Sequence, residues 1–202
     1  MTKDRHVAAG NEVHMKEKLI SAVIMLVVVA MVLFAFYKIA TRPASSDDIA
    51  GKTEAQKIID KDIENNYPSN AREVVKFYNR IIKCYYGEPH TDEEITSLAM
   101  TARVLFDTEL LKRNPADEYV AGVKKDIEDY KAAGRVISTT EVQDYKDVVF
   151  LKKGEYNTAT VVSYYLVKDN TGSKGSNMKF YLREDEEGKW RILFFELTDD
   201  TL

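Results

Sequence analysis

The stretch Asn177–Leu197 reads "NMKFYLREDEEGKWRILFFEL". Its first part alternates: Met178, Phe180 and Leu182 fall on one side of an extended chain, and Lys179, Tyr181 and Arg183 on the other. The polar run "EDEEGK" then interrupts it, and Gly188 can supply the positive φ that a tight turn needs. A second strand follows, "WRILFFEL", Trp190–Leu197. Two strands separated by so short a turn should pair as an antiparallel hairpin. The second has apolar residues on both sides, Trp190, Ile192 and Phe194 against Leu193, Phe195 and Leu197. That pattern predicts cover on both faces, by helices and by a second subunit.

Working back along the chain, "NTATVVSYYLVK" (Asn157–Lys168) is dense in Val, Thr and Tyr and reads as another strand, with "DNTGSKGS" as a loop after it. A further strand is expected over Thr140–Lys152, centred on "DVVFL". Before Gly134 the period is helical. Helical signals begin at Thr53 and run through Ile58, Ile59, Asp62 and Ile63 towards "NNYPSN". Asn70 with Glu73, and Thr91 with Glu94, resemble capping boxes. The first opens a helix carrying Val74, Phe77, Tyr78, Ile81, Ile82 and Tyr85, closed by Gly87. The second opens one carrying Ile95, Leu98, Ala99, Ala102, Leu105 and Phe106. Asn114-Pro115 reads as a cap with a first-turn proline, ahead of a helix that Gly134 closes. The expectation is an α+β domain at 53–202, with three to four helices packed on a curved antiparallel sheet of about four strands.

The closing hairpin, with its acidic-glycine turn and "GKWRI", resembles that of the NTF2-like (cone-shaped α+β) superfamily. The resemblance covers roughly residues 53–199. It implies a fold, a sheet wrapped around a cone, and no particular activity. All the helices precede the sheet here, whereas many enzymes of that superfamily place a strand between helices. With an anchor ahead of it, the chain resembles uncharacterised membrane-anchored families of clostridial-type Gram-positive bacteria. More distantly it resembles VirB8-type and TcpC-type components of conjugation and secretion machines.

The anchor is the run "KLISAVIMLVVVAMVLFAFYK", Lys18–Lys38. Nineteen residues lie between its lysines, with Ser21 the single weakly polar member. As a helix they span roughly 28 Å, close to the hydrocarbon thickness of a bilayer. A polar stripe, which a soluble core helix carries, is missing. Phe36, Tyr37 and Lys38 occupy the place where a cleaved signal needs small residues. The reading is a short cytoplasmic tail (1–18), a transmembrane helix (19–38), a linker (39–52) and an extracytoplasmic domain. Lys3, Arg5, Lys16 and Lys18 favour a cytoplasmic N-terminus by a small margin over Lys38, Arg42 and Lys52. Met15, in "MKEKLI", is an alternative start.

Composition narrows function by exclusion. A net charge of −4 speaks against a nucleic-acid surface. One cysteine, Cys84, and three histidines give no disulfide and no zinc spacing. "EDEEG" lacks the ligand spacing of a calcium loop, and "GSKGS" lacks that of a phosphate loop. A Cys84–His90 pair is the remaining nucleophile candidate. No catalytic, cofactor or metal set is recognisable. The expected function is non-enzymatic: a domain held in the lipid bilayer through residues 19–38 that binds a protein partner or itself. The surface would be carried by Tyr164, Tyr165, Lys179, Tyr181, Arg183 and Trp190. The alternatives are a small-ligand or sensory domain using the cone cavity, and a cryptic enzyme of the same fold.

Overall fold

Among the described residues five helices precede the sheet, and the starts of the first four follow side-chain caps. The computed structural model describes residues 51–202; the tail, the apolar run and nearly all of the 39–52 linker lie outside the described residues. Among the described residues, no helix is long and apolar enough to cross a membrane.

Helix α1 is Glu54–Ile59, opened by a reciprocal capping box between Thr53 and Gln56. It is shorter than its sequence suggests. Asp62 instead organises a turn, accepting from the Asn65 backbone N–H at 3.2 Å and from Asn65 Nδ2 at 2.7 Å. Helix α2, Ala71–Gly87, is capped by Asn70, which accepts from the Glu73 N–H. The return half of that box is replaced by an ion pair of Glu73 with Arg72 at 3.0 Å. Helix α3, Asp92–Arg103, opens on the full Thr91–Glu94 box. Its buried face holds Ile95, Leu98, Ala99 and Ala102, and Leu105 and Phe106 are buried just beyond its end.

A short helix that the sequence pattern does not announce, α4 at Thr108–Arg113, is capped by Asp107. Asn114 closes this helix rather than opening the next, its Nδ2 donating to Leu110 O at 2.9 Å. Helix α5, Ala116–Ala132, therefore starts from Pro115 without a side-chain cap. At its end Gly134 takes φ +62°, and bonds from Gly134 N to Lys131 O and from Arg135 N to Tyr130 O form a Schellman closure.

The sheet has five strands, one more than expected: β1 Val136–Val142, β2 Val149–Lys153, β3 Tyr156–Asp169, β4 Gly172–Glu184 and β5 Trp190–Thr198. All neighbours are antiparallel in the order β1-β3-β4-β5, and β2 also pairs with β3. The single strand expected at Thr140–Lys152 is thus two strands, end to end along one edge of β3. A 3-10 turn at Tyr145–Asp147 separates them. The break is held by Gln143, a buried side chain that stands in for backbone. Strand β4 already begins at Gly172, because the Asp169 carboxylate clasps a tight turn. It accepts from the Thr171 N–H at 2.7 Å, the Thr171 hydroxyl at 2.6 Å and the Gly172 N–H at 3.1 Å.

The hairpin of β4 and β5 forms as expected, with Gly188 at φ +76°. Its faces differ from strict alternation. Tyr181 sits opposite Phe194, but Leu182 sits opposite Ile192, so Leu193 is an extra residue in β5. This bulge turns Phe194 to the side of Tyr181, and Phe195 to the side of Phe180.

Helix α2 packs against β1, β3 and β5 on the inner side of the sheet. Tyr78 is its central side chain, with ring centroids 5.9 Å from Phe106, 5.7 Å from Phe180 and 5.8 Å from Phe195. Leu98, Leu105, Leu182 and Ile192 are fully buried around it. At the far end Phe150 meets Trp190 edge to face at 5.6 Å. The segment Leu105–Asp107 extends the sheet at the β5 edge, through Ile192 N to Leu105 O and Asp107 N to Ile192 O, both 2.8 Å.

Candidate functional site

The pairing register sorts side chains onto two faces. Ala159, Val161, Ser163 and Tyr165 of β3 share the inner face with Phe180 and Leu182. The outer face carries a row across four strands: Val149, Thr160, Tyr181 and Phe194 stand directly opposite one another in turn. Leu151 lies beside this row, opposite Thr158. Val149 is 52% exposed, Leu151 54%, Phe194 41% and, on the inner side of β5, Leu197 72%. The rings of Tyr181 and Phe194 stack at 4.2 Å with 17° between planes. Two aromatic rings held rigid on a strand expose apolar area at little entropic cost.

The six residues singled out from sequence divide between the faces. Tyr181 is central to the outer row, its hydroxyl donating to Glu196 at 2.9 Å, a bond that raises it above its ordinary titration range. Lys179 lies beside it and pairs with Asp200. Tyr164 is also on the outer face, its ring lying across Gly175. A Cβ at that glycine would stand 2.5 Å from the Tyr164 hydroxyl. Arg183 is on this face but is fully engaged. It grips Asp107 through Nε at 3.0 Å and Nη2 at 2.6 Å, and Glu109 through Nη1 at 2.9 Å.

Tyr165 and Trp190 belong to the inside. Tyr165 is buried and donates to Asn79, whose Nδ2 donates to Ser163 Oγ at 2.5 Å. Ser163 in turn donates to Glu141 O at 2.7 Å. Trp190 packs at the margin of the core. The tandem "YY" at 164–165 thus splits between surface and core, as alternation demands. Val149, Leu151, Thr160 and Phe194 were missed. The signal that finds them is the alternation of β4 itself, once the partner register is known.

Neither of two clefts in the domain is lined by Val149, Thr160, Tyr181 or Phe194. One of about 460 Å³ lies between the end of α2 and α5, floored by Tyr86 and Tyr130 with rings 4.4 Å apart. It is lined by His90 and by Lys124, which pairs with Asp92 at 3.0 Å. A wider cleft of about 980 Å³ contains Arg183 and Arg191, each already bound to carboxylate. Arg191 reaches Asp185 at 2.8 Å and Val104 O at 2.5 Å, and lies over the Tyr67 ring at 4.6 Å.

Cys84 and His90 do meet, Sγ to Nε2 at 3.6 Å. The same Nε2 lies 2.7 Å from the Cys84 carbonyl oxygen. A carbonyl can only accept, so Nε2 carries the proton and cannot serve as base to the thiol. Burial pushes the thiol up to about 12. The pair is a cap on the last turn of α2, where a carbonyl would otherwise lack a donor. Among the described residues no group of His, Cys, Asp and Glu is placed to hold a metal ion.

A family model described as Domain of unknown function (DUF6715) matches residues 12–195. The match takes in both the apolar run and the α+β domain. No curated protein matches the chain.

Proposed function

We propose that this chain, which belongs to the DUF6715 family of domains of unknown function, is a single-pass membrane-anchored, non-enzymatic binding protein. Residues 19–38 would span the bilayer, with the N-terminus cytoplasmic and the domain outside. The outer face of the sheet would receive a protein partner. One observation carries this reading: α2, the helix that packs across the sheet, takes its inner side, and α4 reaches the outer face at Arg183 through Glu109, leaving Val149 and Phe194 exposed in a continuous row with the half-buried Thr160 and Tyr181. Rigid aromatic anchors with a polar rim, here Lys179 and Glu196, are the usual composition of a protein-binding patch. Tethering to a membrane raises the effective concentration of the domain for neighbours in the same plane.

Helices first, an antiparallel sheet last and closure on the Gly188 hairpin support an NTF2-like assignment. Against a ligand in the cone stands the packing of Tyr78, Phe106, Phe180 and Phe195, which fills the space where such a ligand would sit.

Two experiments test the proposal. Protease added outside wall-free cells should digest the domain; survival until the membrane is broken overturns the orientation. Thr160→Arg places a long charged side chain in the middle of the row, on a strand paired on both sides. It should leave the thermal transition within a few degrees of wild type and reduce partner capture from membranes at least tenfold. Capture that survives the substitution overturns the outer-face reading.

A further inference from the structure

The two edges of the sheet are unlike each other, and their differences match. At one edge β2, Val149–Lys153, pairs with β3 alone among the described strands, and all five of its residues are exposed. It carries Val149, Phe150 and Leu151, then two cations, Lys152 and Lys153, and no acid. Beside it the β1 half of that edge packs against α2. At the opposite edge the start of β5 is closed by Leu105–Asp107, while Leu193–Thr198 continues beyond that closure. This free part carries Phe194, Phe195 and Leu197, then Glu196, Asp199 and Asp200, and no cation. Such edges template pairing with another chain unless they are blocked.

We propose that β5 of one copy of this chain pairs with β2 of a second copy, continuing the sheet from molecule to molecule. The pairing rests on the partner-binding reading and extends it from the face of the sheet to its edges. Three observations converge on a second copy as the occupant. First, the charges are complementary, acidic on one edge and basic on the other. Second, β2 and β5 run in opposite directions within the sheet, so copies in the same orientation meet as an antiparallel ladder. Third, one register satisfies both faces and charges. Lys153 opposite Glu196 puts Leu151 opposite Thr198 with the outer faces aligned, and Lys152 opposite Leu197 with the inner faces aligned. Asp199 then falls diagonal to Lys152, within reach of its side chain. Such an interface is head-to-tail and does not close on itself. Sheet twist of about 20–25° per strand turns each copy by roughly 100°, which limits a membrane-tethered run to a few molecules.

The test uses the full chain in mild detergent and two single-site variants, Leu151→Cys and Thr198→Cys. Both positions lie on the surface, and the native Cys84 is buried. Under mild oxidation a mixture of the two variants should form a disulfide-linked dimer, and either variant alone at the same concentration should not. Glu196→Lys on the Thr198→Cys chain should lower the yield at least tenfold, and Lys153→Glu on the other chain should restore it. Absence of the mixed dimer overturns the proposal. A dimer from Thr198→Cys alone overturns it too, since that marks a two-fold pairing of β5. Thr160→Arg is read in parallel. If it abolishes partner capture while no mixed dimer forms, the face reading stands and the edge pairing falls. If the mixed dimer forms while capture survives Thr160→Arg, the edge pairing stands and the face reading falls.

Discussion

Gln143 and Val162 are bonded twice, once through backbone and once through a side chain. The Gln143 N–H donates to Val162 O at 3.0 Å, and the Val162 N–H donates to Gln143 Oε1 at 3.0 Å. Gln143 Nε2 donates to Asp147 O at 2.9 Å, and Arg72 Nε donates to the Gln143 carbonyl at 2.7 Å. The side chain thus completes the ladder where β1 stops and carries the chain across to β2. Gln143→Met keeps the volume and removes both side-chain partners. It leaves a buried N–H unpaired and should cost about 1–3 kcal/mol in urea unfolding. An unchanged midpoint would show that the break is held by something else.

The tandem tyrosines should behave oppositely. Tyr165→Phe strips the donor from Asn79 in a buried network and should cost about 1–3 kcal/mol. Tyr164→Ala should change stability by less than about 1 kcal/mol, since its ring lies over Gly175 at the surface. Gly175→Ala should displace that ring, read as a loss of its aromatic shielding at residue 175 in NMR, with only a small stability change.

Cys84 should be nearly inert in the folded chain. A thiol pushed up to about 12 by burial holds roughly a thousandth of the thiolate of a free cysteine at neutral pH. Labelling with iodoacetamide should be at least a hundredfold slower than in the urea-unfolded chain. Fast native labelling would mean that the His90 cap opens.

Acid should loosen the junction of α1 and α2. The hydrogen bond from Arg80 holds the Glu54 carboxyl below its ordinary 4.5. A depressed folded-state value contributes stability above the unfolded-state value, and this is lost as pH falls through the folded-state value. Glu54→Gln should therefore flatten the fall in stability below pH ~4.5. The effect is small, because both side chains are more than a third exposed. An identical acid limb in both proteins would rule out this contribution.

The closing hairpin was legible in the sequence, because alternation in Met178–Arg183 and the Gly188 turn are both local. The caps at Asn70 and Thr91, and the helix start at Thr53, were legible for the same reason. Three features were not. Helix α4, six residues long, is too short to show a period. The break after Val142 depends on Gln143 meeting Val162 across strands, while the local pattern runs on unbroken into "VVFL". The bulge at Leu193 reassigns Phe194 and Phe195, and no local signal marks it in a run apolar on both sides. The candidate surface follows the same division. Tyr181 came from alternation in one strand, whereas its neighbours Val149, Thr160 and Phe194 come from register.

The central claim is that partners meet the domain on its outer sheet face. The most direct measurement places a photo-crosslinking amino acid at Thr160, and separately at Lys125 on the exposed side of α5, in cells carrying the full chain. The account predicts a discrete crosslinked protein species from position 160 and none from position 125. Equal crosslinking from both positions, or crosslinking from position 125 alone, would contradict it.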